Sequence, residues 1–281
     1  MPVTQRPILV AQISDLHIKR PGALAYEKVD TAAALARCVV ELNRLVPRPQ
    51  LVVASGDLVD TPTEEEYRHL EELLASLEIP IVVVPGNHDA RPLVRAAFPA
   101  QPYARATGAL DLSLAQGALD VILIDSTVPD APHGAIEDNT LQWLDTTLDA
   151  SATRPALLFL HHPPFVTGIA HMDRQNLRNA GDLAAVLKRH PRTRLIAAGH
   201  VHRATLTMFA GIPTTICPAP NHAVALDLDE RYPPAMKIEP PAFHLHAWFD
   251  GAGFGDVVTH LVPIGDFDGP FPFFDSEGRL R

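Results

Sequence analysis

The sequence predicts an α/β fold, and two observations carry that expectation. Short apolar runs alternate with amphipathic stretches through the first two-thirds of the chain, the pattern of successive βα units. Five of the apolar runs then end in a cluster of Asp, His or Asn beside small residues. Ligands in open α/β sheets bind outside the carboxyl ends of the strands.

Taken in order, Ile8–Ile13 (ILVAQI) reads as a buried strand and residues 30–45 as a helix with Ala, Leu and Val on one face. Leu51–Ser55 (LVVAS) is a strand, 64–77 a helix and 81–85 (IVVVP) another strand. The strand signal returns at 121–125, Ala156–Leu160 and 194–198, with helices at 141–148 and 182–190 between. Beyond about Ala204 the texture changes. Strand-like runs at 204–209 and 214–216 are followed by the proline-rich stretch CPAPNHAVALDLDERYPPAMKIEPP, and Gly211-Ile212-Pro213 reads as a turn. Two last strands, 243–249 and Val257–Pro263, flank the Gly-rich DGAGFGD and suggest a hairpin. With 281 residues the chain suits one domain over 1–281. Residues 217–281 are expected to form a C-terminal extension that completes a sheet and caps the site.

The formal charge is -10, from Asp+Glu 33 against Lys+Arg 23. That balance argues against gripping a polyanion, because nucleic-acid binding draws on clustered Lys and Arg. Cys38 and Cys217 are too few for a disulfide framework and read as small buried hydrophobes, with a reducing compartment as the default. The N-terminus has no charged segment leading into a long apolar core, and no stretch approaches a membrane span. A cytoplasmic protein with no membrane partner is expected, and a homo-oligomer is compatible with the sequence.

The five strand ends supply the chemistry. Ile8–Ile13 runs into Ser14-Asp15-Leu16-His17, Leu51–Ser55 into Gly56-Asp57, and 81–85 into Gly86-Asn87-His88-Asp89. Ala156–Leu160 runs into His161-His162, and 194–198 into Gly199-His200-Val201-His202. Carboxylate and amide oxygens mixed with imidazole suit manganese, iron, cobalt or zinc, and the absence of thiolate argues against a structural zinc site. On an extended backbone Asp15-x-His17 and His200-x-His202 each put two side chains on one side, and the glycines permit sharp turns and close approach. Two divalent cations bring four positive charges and Asp15 with Asp57 return two negative ones, leaving charge to hold a phosphate. Such a pair about 3.5–4 Å apart can clamp phosphate and activate a water. Asp57 is the best candidate for a bridging carboxylate, because it lies between the two halves of the set.

One at a time these residues say little, since an Asp at a strand end is often a helix cap and Asp57 or Asn87 could merely organise a turn. The joint arrangement decides. His162 should point away from His161 on an extended backbone, which leaves its role open. His171 and His222 lie in loops that could overhang the site. The remaining histidines, His69, His133, His190, His244, His246 and His260, fall outside these motifs. Asp89 is expected to orient a neighbouring group, and Asp30, Tyr26 and Tyr232 receive no role.

The ordered series Asp15-x-His17, Gly56-Asp57, Gly86-Asn87-His88-Asp89, His161 and Gly199-His200-x-His202 resembles the calcineurin-like metallophosphoesterase superfamily. GDLVD, GNHD, LHHPP and GHVH look most like its bacterial class III cyclic-nucleotide phosphodiesterases and the related glycerophosphodiesterases. The resemblance implies a four-layer αββα sandwich of two mixed sheets, with the late strands completing the second sheet. It implies one metal on Asp15, His17, Asp57 and His202 and another on Asp57, Asn87, His161 and His200. His88 matches the family histidine that contacts phosphate and assists the leaving group, so His88, Asn87 and Asp57 are the expected catalytic residues. Thr61 stands where serine/threonine protein phosphatases carry an Arg, and Asp60 where purple acid phosphatases carry a Tyr, which counts against those branches. The expected activity is hydrolysis of small phosphodiesters, led by 3',5'-cyclic nucleotides such as cyclic AMP, with glycerophosphodiesters as the alternative and phosphomonoesters or nucleic acids behind them. A non-catalytic scaffold would show a broken ligand set, and none is broken here.

Overall fold

The computed structural model describes residues 6–103, 105–150, 153–249 and 257–281. The first part contains β1 (Ile8–Ile13), α1 (Thr31–Arg44), β2 (Leu51–Ser55), α2 (Glu64–Leu74), β3 (Ile81–Val84) and α3 (Arg91–Ala97). Next come β4 (Leu112–Gln116), β5 (Leu119–Ile124), the short pair β6 (Thr127–Val128) and β7 (Ala131–Gly134), α4 (Asp138–Ala150), β8 (Ala156–Leu160), α5 (Ala170–Asp173), α6 (Ala180–Leu187) and β9 (Thr193–Ala198). The last part holds β10 (Thr205–Phe209), β11 (Ile212–Ile216), β12 (Ala223–Val224), β13 (Met236–Lys237), β14 (Ala242–Trp248) and β15 (Val257–Pro263).

Two mixed sheets carry the fold, in the orders β15-β14-β1-β2-β3 and β10-β11-β9-β8-β5-β4. Three apolar clusters stack them into four layers. Between the sheets, Val10, Val53 and Val84 meet Val121, Leu157, Phe159 and Leu195. On the outer face of the first sheet, Ile13, Val52, Ala54 and Val83 pack on Leu35, Cys38 and Leu42 of α1 and Tyr67 and Leu70 of α2. On the outer face of the second, Ile122, Leu158, Leu160 and Ile196 pack on Leu144 and Leu148 of α4 and Leu183 and Val186 of α6. Each central strand is thus covered on both faces, which is why its sequence is continuously apolar rather than alternating. A fully buried residue of this kind, Phe159 for example, stabilises the fold by about 1.5–3 kcal/mol over an exposed one. Gln12 crosses the dry interface, its Nε2 donating to Ser55 Oγ at 2.8 Å and to Ala198 O of the other sheet at 3.0 Å.

Helix starts follow local chemistry. The Asp30 carboxylate accepts from Ala33 N at 2.9 Å and caps α1, a role the sequence did not reveal. Thr63 caps α2, whose first turn carries Glu64, Glu65 and Glu66 against the positive end of the helix dipole.

Two expectations are corrected. Only β10 and β11 extend the second sheet; β14 and β15 join the first, with β14 antiparallel to β1 from Ile8↔Trp248 to Gln12↔His244. The free edge of β1 has backbone groups that need partners, and β14 supplies them. The turn expected at Gly211-Ile212-Pro213 lies at Ala210 and Gly211, at φ 52° and 82°, while Ile212 and Pro213 belong to β11. Pro213 is tolerated because the pairing of β11 with β9 begins only at Thr214. The Gly-rich turn at 250–256 lies outside the described residues, although the strands flanking it pair, with Trp248 opposite Val257. Among the described residues no helix is long and apolar enough to cross a membrane.

Candidate metal centre

The chain leaves β1, β2 and β3 of the first sheet and β8 and β9 of the second on one side of the sandwich. The loops that follow them bring Asp15, His17, Asp57, Asn87, His88, His161, His200 and His202 together. All are buried except Asn87 and His88, which are half-buried. The segments carrying Asp15-x-His17 and His200-x-His202 are not extended, as periodicity suggested. Asp15, His17, Asp57, His200 and His202 take positive φ values of 57°, 46°, 50°, 73° and 56°. Each such residue costs on the order of 1–3 kcal/mol and persists only where its surroundings over-determine it. Here Asp15 N donates to Gly56 O at 3.0 Å, His17 N to Asp57 O at 2.9 Å and His200 N to Asp15 Oδ1 at 2.9 Å. The glycines permit the crowding. Gly56 sits at φ 96° and any Cβ there would run into the His161 ring, while one on Gly86 would strike the Asp57 carboxylate.

The side chains form two groups that share Asp57. In one, donor atoms of Asp15, His17, Asp57 and His202 all lie within 4.8 Å of one another. His17 Nε2 stands 3.2 Å from His202 Nε2 and 3.5 Å from Asp57 Oδ2, and His202 Nε2 stands 3.5 Å from Asp15 Oδ1. In the other, His161 Nε2 lies 3.1 Å from Asn87 Oδ1, 3.2 Å from His200 Nδ1 and 3.4 Å from Asp57 Oδ2. Tautomers are fixed from behind. His161 Nδ1 donates to Ser55 O at 2.9 Å and His202 Nδ1 to His222 O at 3.2 Å, so both Nε2 atoms face inward, where a histidine can bind a metal once that nitrogen is unprotonated.

Burial and close packing of these groups perturb their titration strongly. Burial, countered in part by His161, pushes the Asp15 carboxyl up to about 6. Burial also raises Asp57, but His161 outweighs it and holds that carboxyl well below its usual range. His161 is pulled down by burial and lifted further by Asp57, to about 9. Burial, then the neighbouring imidazoles, keeps His200 and His202 neutral, far below the usual histidine value. Converging buried oxygen and nitrogen donors fit divalent metal ions.

Several residues complete the site. His88 Nδ1 donates to Asp60 O at 2.8 Å, and His88 N donates to Asp57 Oδ1 at 2.9 Å, so Nε2 is the free ring nitrogen. The Asp60 carboxylate lies 3.4 Å from His17 Nδ1 and 2.5 Å from Lys19 Nζ. Asp89 pins the loops around Asp57, accepting from Gly86 N at 2.8 Å, Leu58 N at 3.1 Å and Tyr67 Oη at 2.8 Å. The chain bends at both His161 and His162, so the two rings do not point apart. They stand 4.9 Å from each other, and His162 lies 4.9 Å from His200. A cavity of about 450 Å³ opens over the group, walled by Tyr26, His171, Met172, Gln175 and His222, and by Val224, Pro234, Ala235 and Met236 from the C-terminal segment. Asn221 was missed from sequence. Its Nδ2 donates to Asp15 O at 2.9 Å and Leu16 O at 3.0 Å, and its Oδ1 accepts from His222 N at 2.6 Å. No local pattern marks an asparagine that works across 206 residues, and none marks Tyr26, whose ring meets His222 at 5.3 Å.

A two-sheet sandwich with this constellation at its strand ends is the architecture of a metallophosphoesterase, and the chain belongs to the calcineurin-like phosphoesterase family, whose model matches residues 8–204. It is 37% identical over 274 residues to a probable glycerophosphodiester phosphodiesterase GpdQ from Arcobacter nitrofigilis, covering 97% of this chain and 99% of that one. It is 32% identical over 196 residues to the 3',5'-cyclic adenosine monophosphate phosphodiesterase CpdA of Escherichia coli, covering 70% of each. Among solved structures, a dimetal phosphatase from Danio rerio shares the fold with a TM-score of 0.66 at 16% identity, over 93% of this chain and 100% of that one.

Proposed function

We propose that this chain is a dinuclear metal-dependent hydrolase of small phosphodiesters, with Asp15, His17, Asp57 and His202 holding one ion and Asp57, Asn87, His161 and His200 the other. The observation that carries the reading is the Asp57 carboxylate, within 3.5 Å of His17 Nε2 on one side and 3.4 Å of His161 Nε2 on the other. Oxygen and imidazole donors without thiolate suit manganese, iron, cobalt or zinc. When bound, such ions polarise the phosphate and lower the pKa of a water.

The protein's own groups do the rest. Asn87 and the His88 ring line the cavity beside the donor groups. His88, held by Asp60 O, keeps Nε2 toward a bound phosphate and its departing oxygen. Among the described residues the cavity wall carries no Lys or Arg, so one phosphate can be neutralised there but a second cannot, which favours a diester monoanion over a nucleic acid. The C-terminal segment from Val224 to Met236 closes one side and limits size. Cyclic nucleotides and glycerophosphodiesters draw equal support from the relatives. Buried, unpaired Cys38 and Cys217 fit a reducing, cytoplasmic setting.

The test is a hydrolysis panel with protein stripped of metal and then reconstituted with manganese, cobalt, iron or zinc. Cyclic AMP, a glycerophosphodiester, bis-p-nitrophenyl phosphate, p-nitrophenyl phosphate and single-stranded DNA are compared. Activity should vanish on chelation and return with metal, diesters leading. Full turnover by protein shown metal-free by elemental analysis, or monoesters or DNA beating every small diester, would sink the reading.

A further inference from the structure

A second cleft of about 730 Å³ adjoins the donor groups at Asn87 and His88. It shares Asn87 and His88 with the cavity described above, and no other residue. One wall comes from the loop after β2, through Pro62, and from the start of α3, through Ala90 and Pro92. The opposite wall is the β6–β7 hairpin, through Val128, Pro129 and Ala131. The two cavities therefore meet at Asn87 and His88, whose ring lies 4.6 Å from that of His17.

Chemically the second cleft differs from the first. Prolines, alanines and Val128 supply its apolar surface beside Thr61, Thr127 and several carboxylates, and among the described residues its one guanidinium is already committed. Arg91 Nε stands 2.7 Å from Asp125 Oδ2, its Nη1 stands 2.7 Å from Glu137 Oε1 and its Nη2 donates to Thr127 O at 2.9 Å. The remaining charged side chains lining it are Asp60, Asp89 and Asp130. No free cation is available there for a second phosphate, whereas an uncharged organic group would find apolar surface.

We propose that this cleft is the subsite for the leaving arm of an acyclic phosphodiester, the retained arm occupying the cavity walled by Tyr26, His222 and Met236. The inference rests on the phosphodiesterase reading and deepens it. In hydrolysis, a water oxygen bonds to phosphorus, the phosphorus–oxygen bond to one arm breaks, and that oxygen leaves with a proton as an alcohol. In-line displacement puts the departing oxygen opposite the attacking water, and an alcohol departing past His88 emerges into this cleft. Two cavities meeting at one phosphate match a diester of two separate alcohols. A 3',5'-cyclic nucleotide, whose two ester oxygens belong to one sugar, fills only one of them.

The experiment reads which alcohol is released from one unsymmetrical substrate, benzyl ethyl phosphate, by the metal-reconstituted full chain. Both arms are primary alcohols, and the product ratio is independent of how much enzyme is active. Wild-type protein should release benzyl alcohol in preference to ethanol. Ala131→Trp and Val128→Trp, made separately so that one misfolded variant does not end the test, should each shift the ratio about tenfold toward ethanol by displacing the apolar arm. An unchanged ratio in a folded, metal-replete variant, or wild-type preference for releasing ethanol, overturns the subsite while leaving the phosphodiesterase reading intact. Release of neither alcohol by a protein that cleaves p-nitrophenyl phosphate overturns both.

Discussion

Replacing Asn221 by alanine tests whether the C-terminal loop holds the metal-site backbone in place. The side chain makes three buried hydrogen bonds, to Asp15 O, Leu16 O and from His222 N. Each is worth about 0.5–1.5 kcal/mol net, and their partners stay buried when the side chain is removed. Three together come to about 2–4 kcal/mol, toward the low end if a water enters the space left behind. For a chain of this size that is a fall of roughly 3–8 °C in Tm. Asp15 is also one of the residues at positive φ, and the bond to its carbonyl helps to hold it there. Loosening it should weaken metal binding by the 10–100-fold typical of losing an outer-shell partner. Thermal unfolding of metal-free Asn221→Ala, followed by circular dichroism, measures the first effect, and calorimetric titration with manganese the second. A Tm within about 1 °C of wild type together with unchanged metal affinity would refute the reasoning.

Other substitutions separate the proposed roles. Asp57→Ala should lose both ions and nearly all activity, whereas Asn87→Ala should weaken mainly one ion; elemental analysis showing equal, mild losses in both would show that the bridge is misassigned. His88→Ala should keep its metals and lose about 10²–10³ in kcat, the effect of removing one preorganised group that stabilises developing charge. Loss of metal in that variant would make His88 a ligand instead. His244, on β14 away from the metal loops, is held by burial at about 4, down from 6.5. The unfolded chain therefore takes up this proton first as pH falls. Its contribution is fully present above about 6.5 and is lost progressively toward pH 4, to at most about 3 kcal/mol. Denaturant unfolding of metal-free protein should show that loss, and His244→Phe should reduce it; identical pH profiles for the two would exclude His244 as a source.

The strands and the positions of the candidate site were legible because both rest on short-range pattern. ILVAQI, LVVAS and ALLFL are continuously apolar because both faces are covered, and the same runs end in residues whose chemistry is hard to mistake. What lay beyond reach depended on distant partners. That β14 pairs with β1 rather than extending the second sheet is decided by a free strand edge 234 residues away in sequence, with Leu245 opposite Ala11. The positive φ values of His17 and His202 are imposed by hydrogen bonds and packing from other loops. Period-two reasoning about Asp15-x-His17 therefore reached the right neighbourhood by the wrong backbone, and it failed for His162, where the chain has already left β8. Asn221 and Tyr26 sit in segments with no repeating pattern, and only the folded chain shows what they touch.

The division of the proposed donor set between the two sheets has a consequence for assembly. Each ion would draw on both halves of the sandwich: Asp15, His17 and Asp57 from the first sheet with His202 from the second, and Asp57 and Asn87 from the first with His161 and His200 from the second. Neither half alone presents a complete coordination sphere. The cations would then act as rivets across a seam otherwise closed by Val53, Phe159, Gln12 and their neighbours, set only after the sheets have docked. Metal capture would be a late step in maturation, and a newly folded chain would have to close its seam on apolar contact and the few hydrogen bonds that cross it, such as that from Gln12 to Ala198 O.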